Sequence, residues 1–267
     1  MAFDLLSPGE PLLMNWHIEA MAYRLEQVRR GEITRLIINL PPRYLKSLVT
    51  SVAFPAFVLG HDPTKRLVGV SYGSDLAVKH GNDCRTVISA PRYKSIFPGL
   101  QISPTKNTEL EIATTWNGCR LATSINGSLA GRGGHIMIID DPLKPSDACS
   151  DAKRDHVNTW FKNTLYSRLD GKRKGAIIIV MQRLHDDDLC GFLLKGSHDW
   201  VVLNLPAIAL KDEPIPIGDG RFMTVTSATC FTRNESRKPI WTKYVRSWAR
   251  TSSMPSTNNA QANPPAI

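Results

Sequence analysis

Between Asn15 and Leu205, short apolar runs alternate with amphipathic stretches, the rhythm of strands exchanging with helices. Val, Ile and Leu cluster in runs that predict strands over Arg35–Leu40, Arg66–Ser71, Ile136–Asp140, Ala176–Met181 and Trp200–Leu203. Apolar positions at helical spacing predict helices over about Trp16–Arg29, Lys46–Leu59, Ser74–Ile88, Ser150–Leu169 and Asp186–Leu194, the second kinked at Pro55. This alternation argues an α/β fold, a mainly parallel central sheet flanked by helices on both faces. Leu110–Trp116 and Arg120–Ser124 flank an Asn117-Gly118 turn signal and predict an antiparallel insertion. After Pro206 the pattern decays, and from about Phe222 no helical or strand period remains. The polar stretch Thr251–Ile267, with three prolines, is expected to be disordered.

The 267 residues give room for one large domain and a small extra. With 42% hydrophobic and 21% charged residues, the chain is too apolar to be disordered throughout. No apolar run approaches the ~20 residues of a membrane span. Asp4 and Glu10 stand where a signal peptide wants a basic start, so a cytoplasmic location is expected. Five scattered cysteines show no metal-ligand or CxxC spacing. The net charge of +9 would point to nucleic acid, but the segment from Phe222 onward carries six basic residues against one acidic. The rest of the chain is only mildly basic.

Chemistry concentrates at the ends of the predicted strands. The first runs into PPRYLKS, Pro41–Ser47, and a helix follows. Strand, tight loop and helix with Lys-Ser at its start is the arrangement of a phosphate-binding loop. Pro42, Arg43, Tyr44 and Leu45 would form the cradle, Lys46 would reach the β- and γ-phosphates of ATP, and the Ser47 hydroxyl would ligate Mg²⁺. Leu45 stands where the usual loop has glycine, and the segment alone also fits a strand leading into a helix with a surface lysine.

A second strand ends in Asp140-Asp141. Paired carboxylates at a strand tip suit a magnesium-nucleotide site, one for the metal and one to orient the attacking water. Asp140 is assigned to Mg²⁺ and Asp141 to the water. Gln182, after the strand Ala176–Met181, could sense the γ-phosphate, and Arg43 or Arg132 could offset transition-state charge. Trp16 and His17 could line a base pocket. Asp186–Asp188 read better as acids at a helix start than as metal ligands.

Together, LIINLPPRYLKS, VSYGSDLA at Val70–Ala77, IIDDP at Ile138–Pro142 and QRLHDDDL at Gln182–Leu189 resemble the ATPase domain of the large terminase subunit of tailed phages. The resemblance covers roughly Trp16–Ala209. It implies a P-loop, RecA-like ATPase of the additional-strand type that drives double-stranded DNA into a procapsid, with Lys46, Asp140, Asp141 and Gln182-Arg183 at the family's functional positions. Implied partners are double-stranded DNA bound without regard to sequence, the small terminase subunit, a portal protein and a possible homo-oligomeric ring, with no membrane. Asp141 replaces the Glu of many members. Residues 1–15 are expected to be an extension, 16–209 the ATPase domain and 210–267 a linker with a disordered or frame-shifted tail; no nuclease activity is expected. The other readings are a catalytically idle terminase fragment and a helicase-like ATPase of another lineage.

Overall fold

A computed structural model describes residues 1–129, 131–196 and 199–227. In chain order the elements begin with α1 (Ala2–Leu6), α2 (Trp16–Arg29) and β1 (Arg35–Asn39). A π-helical stretch, Leu48–Ala53, then runs into α3 (Phe54–His61). Next come β2 (Arg66–Ser71), α4 (Ser74–Ser89), α5 (Pro91–Ile96), β3 (Ile102–Asn107), β4 (Glu111–Thr114) and β5 (Cys119–Ser124). The remainder is β6 (Ile136–Asp140), α6 (Asp151–Trp160), β7 (Ala176–Met181), α7 (Leu189–Gly196), β8 (Val201–Asn204), β9 (Glu213–Gly218) and β10 (Arg221–Val225).

Eight strands form one sheet in the order β3-β4-β5-β2-β6-β7-β1-β8. Every pairing from β5 to β8 is parallel, so these strands present their C-terminal tips along one edge. The expected antiparallel hairpin is β4 with β5, although β5 also pairs parallel with β2, and β3, not expected from the sequence, pairs antiparallel with β4 at the far side. β7 lies between β1 and β6, with Ile178 opposite Leu36 on one side and Ile138 on the other. In open parallel sheets the crevice outside the strand tips is where ligands bind.

Both faces of the sheet are covered because the central strands are apolar at consecutive positions. Leu36, Ile38, Leu67 and Ile138 pack toward α2, α3 and α4, where Leu25, Leu59 and Val87 are buried. Ile37, Val68, Val70 and Ile139 pack toward Val157 and Trp160 of α6 and Leu189 of α7.

The predicted strands over Arg66–Ser71, Ile136–Asp140 and Ala176–Met181 keep their bounds, as does the helix Trp16–Arg29. Differences lie where helical geometry changes. The predicted helix Lys46–Leu59 is split into a π stretch and α3, and Pro55 sits in the first turn of α3, where its missing N–H costs little. The helix expected over Ser150–Leu169 is α6 followed by π and 3₁₀ turns. Contrary to the loss of period expected from Phe222, Phe222–Val225 belong to β10, paired antiparallel with β9. The expected disorder of Thr251–Ile267 and the frame-shifted tail beyond Ser227 lie outside the described residues.

At the β4–β5 turn, Asn117 takes φ 62° and the Gly118 N–H donates to Thr114 Oγ1 at 3.0 Å. A Cβ on Gly118 would stand 2.1 Å from the Pro63 carbonyl oxygen. Gly118→Ala should therefore force two backbone segments apart and lower the free energy of unfolding by about 1–3 kcal/mol, as read from urea unfolding.

Candidate nucleotide site

The candidate phosphate loop leaves β1 through Pro41 and Pro42 and turns back into the π stretch. Arg43 and Leu45 adopt φ of 69° and 59°, in the left-handed region that glycine enters most easily. Alternating handedness turns successive backbone N–H groups toward one concavity, a geometry that favours anions. Leu45 thus keeps the backbone shape of the usual glycine while carrying strain of about 1–2 kcal/mol. Arg43 is exposed in this loop.

β6 delivers the acids to the same place. Asp140 is 1% exposed, and its Oδ1 accepts the Ser47 hydroxyl at 3.0 Å. Its Oδ2 accepts the Ser51 hydroxyl at 2.6 Å. His80 of α4 places Nδ1 3.6 Å from the same oxygen. Asp141, at φ 43°, turns its side chain the other way and pairs with the Lys46 ammonium at 2.9 Å. The backbone N–H of Gln182, beyond the tip of β7, donates to Asp141 Oδ1 at 3.3 Å. Lys46, Ser47, Asp140, Asp141 and Gln182 are therefore brought together from three neighbouring strand tips.

Burial, reinforced by the adjacent Asp141 charge, pushes the Asp140 carboxyl up to about 7. His80 is lowered to about 4, chiefly by burial and next by the positive charge of Arg120. A carboxylate and a hydroxyl, both hard oxygen donors, 3.0 Å apart beside a left-handed loop fit Mg²⁺, which takes few protein ligands and completes its shell with phosphate and water. No cluster of three or more His, Cys, Asp or Glu side chains suited to a metal occurs among the described residues.

Trp16 and His17 reach the loop from α2. The Trp16 ring stands edge-on to His17, with centroids 6.4 Å apart, and His17 edge-on to Tyr44 at 5.7 Å. The His17 imidazole also bonds the Tyr44 backbone, while burial lowers it to about 4. Trp16 lines a cavity of about 670 Å³ with Asn15, Asn204, Leu205 and Pro206, beside the tip of β8. An apolar pocket of about 440 Å³ between α1, α2 and α3 lies on the helical face and takes no part in this arrangement.

Arg132 stands elsewhere. It precedes the start of β6 by four residues, whereas Asp140 lies at the end of that strand, and it pairs with Glu111 at 2.6 Å. In the run His185–Asp188, Asp188 is fully buried and accepts the N–H groups of Leu184 and Gly191 and the Arg183 guanidinium. It caps α7. Ser51, His80 and Arg120 were not singled out from the sequence; for Ser51 the usable signal was its position one turn after Ser47, on the same helical face.

No family model matches the sequence, and no curated protein matches it. Among solved structures, the chain is similar to the large terminase of bacteriophage HK97, with a TM-score of 0.50 and 16% identity over 77% of this chain and 42% of that one. It is also similar to an ATPase-domain variant of the large terminase of Thermus phage P74-26, with a TM-score of 0.40 and 18% identity over 67% of each chain. The chain spans less than half of the HK97 protein. The likeness to the HK97 protein shows the fold, a mainly parallel α/β sheet flanked by helices.

Two outcomes are expected from this geometry. Asp140 is harder to ionise when folded, at about 7, than when unfolded, at 3.8, so folding binds a proton between those values and the wild type loses stability as pH rises through that window. Asp140→Asn should raise the thermal midpoint of the ligand-free protein most above pH 7, the gain shrinking steadily toward pH 4. At position 45, Leu45→Val should unfold at lower urea than Leu45→Gly, by about 1–2 kcal/mol, because a β-branched residue resists positive φ.

Proposed function

We propose that this chain is the ATP-hydrolysing motor domain of a phage or prophage terminase large subunit, which drives double-stranded DNA into a procapsid. The observation that carries the reading is the meeting of Lys46, Ser47, Asp140 and Asp141 beyond the tips of β1 and β6, with Ser47 and Asp140 in hydrogen-bond contact. The sequence resemblance over four motifs supplies the terminase assignment.

In this reading Ser47 and Asp140 would hold Mg²⁺, which would offset the charge of the phosphate oxygens. Lys46 exchanges its partner Asp141 for the β- and γ-phosphate oxygens. That exchange frees the Asp141 carboxylate to accept a proton from water held in line with the γ-phosphate. The Gln182 backbone N–H fixes the rotamer of Asp141, and the Gln182 side chain senses the γ-phosphate from the next strand tip. Pro42, Arg43, Tyr44 and Leu45 wrap the phosphates, with Arg43 available for transition-state charge. Arg132, which precedes β6 while the acids end that strand, suits a neighbouring subunit's site in a ring. Trp16 and the cavity beside it receive the base.

Double-stranded DNA is gripped through phosphates, without base readout, and the small terminase subunit and a portal protein complete the machine. In this reading the domain works in the host cytoplasm; no helix among the described residues is long and apolar enough to cross a membrane.

Phosphate release by the purified chain, measured with and without duplex DNA, tests the reading. Lys46→Ala and Asp140→Ala should each cut turnover by about 10²–10³ or more, since each removes charge aimed at the transferred group. Wild-type turnover no higher than that of these variants, with nucleotide still bound, would instead identify a catalytically idle fragment. Duplex affinity should fall steeply between 50 and 200 mM salt, by about 10³ or more if six phosphates are contacted. Strand separation on forked DNA would favour a helicase-like ATPase.

A further inference from the structure

Arg120 lies in the second position of β5 and is 2% exposed, the largest of the fully buried side chains. Its Nη2 donates to the Ser51 carbonyl oxygen at 3.3 Å. Nε and Nη1 have no hydrogen-bond partner among the described residues. A guanidinium taken out of water with only one of its donors engaged is costly to keep, and apolar replacement of such buried charges is often neutral or stabilising. The surroundings nevertheless make room for it. A Cβ on Gly69 would stand 3.0 Å from Nη2, and one on Gly81 2.8 Å from Nη1. β2 and α4 each leave out a side chain at the point where the guanidinium enters, so its placement is built in from two further elements.

The segment it touches leads straight to the site. Ser51 belongs to the π stretch Leu48–Ala53, where backbone bonding departs from the α pattern. Such stretches recur at functional sites. The carbonyl of Ser51 takes the Arg120 bond, and its hydroxyl donates to Asp140 Oδ2 at 2.6 Å. That second bond leaves Oδ1 turned toward the Ser47 hydroxyl. Groups that hold a metal-ligating carboxylate from behind set its orientation, and their loss commonly costs 10–100-fold in metal affinity.

We propose that Arg120 is a positioning residue for magnesium: by anchoring the Ser51 backbone it aims the Ser51 hydroxyl at Asp140 and so presets the carboxylate for the ion. This rests on the assignment of Asp140 and Ser47 to Mg²⁺ in the proposed function. The role accounts for a buried, underbonded cation that stability alone would not retain.

The test separates metal binding from nucleotide binding and from folding. A fluorescent ATP analogue is titrated onto the full chain in EDTA, then at rising Mg²⁺, for wild type, Arg120→Met and Ser51→Ala, with thermal midpoints measured alongside. Arg120→Met should melt no lower than wild type, bind the analogue in EDTA as wild type does, and need about 10-fold or more Mg²⁺ for half-saturation. Ser51→Ala, which leaves the arginine in place, should show the same metal-specific loss. A Mg²⁺ requirement within twofold of wild type in both variants overturns the proposal. So does an Arg120→Met protein that melts far lower or loses affinity equally with and without metal, since either makes the arginine merely structural. If the wild type shows no Mg²⁺-dependent binding at all, the nucleotide-site reading itself falls, and this inference with it.

Discussion

The contact between the Ser47 hydroxyl and the Asp140 carboxylate joins two parts of the chain 93 residues apart. It closes only if β1 and β6 end level with each other, although β7 separates them. The parallel register does this: Leu36 and Ile138 both stand opposite Ile178, so the tips of three strands are aligned by backbone pairing before any side chain chooses its rotamer. The continuous apolar runs of those strands bury both faces of the sheet and keep the register from slipping. Site chemistry here is thus a consequence of how the core is packed.

The acids divide their labour through the backbone. Asp140 continues the strand and is drawn inward among Ser47, Ser51 and His80, whereas Asp141 takes a positive φ and turns to Lys46. Two like charges on consecutive residues are tolerated because one is pushed toward its neutral form while the other is matched by an ammonium. These two acids are therefore held in a conflict of charge that a divalent ion and a polyphosphate would relieve.

Much of this was legible in the sequence. Val-, Ile- and Leu-rich runs located the central strands because burial on both faces demands them, and Lys46-Ser47 and Asp140-Asp141 stood out because acids and a lysine at strand ends have few structural uses. Leu45 obscured the loop: without glycine the motif looked broken, yet tertiary context holds the left-handed backbone. Arg120 was hidden for a different reason, since one charged residue in a short strand reads as solvent-facing, and only the folded sheet shows Gly69 and Gly81 making space for it. β9 and β10 escaped notice because prolines at 214 and 216 interrupt the strand signal, which a two-stranded ribbon tolerates at its edges. Arg132 illustrates a further limit: nearness to the acidic strand in sequence placed it at the start of that strand, whereas the acids lie at its end.

The π stretch after Ser47 carries one more implication. A π turn holds an extra residue relative to an α turn, so tightening Leu48–Ala53 by a single residue would rotate the downstream helix by about 100° around its axis. Ser51 would swing off Asp140, and α3, rooted in the same segment, would twist against the sheet. A slack residue beside the loop that leaves β1 is a gear tooth: its engagement would turn a small local change into rotation of a whole helix.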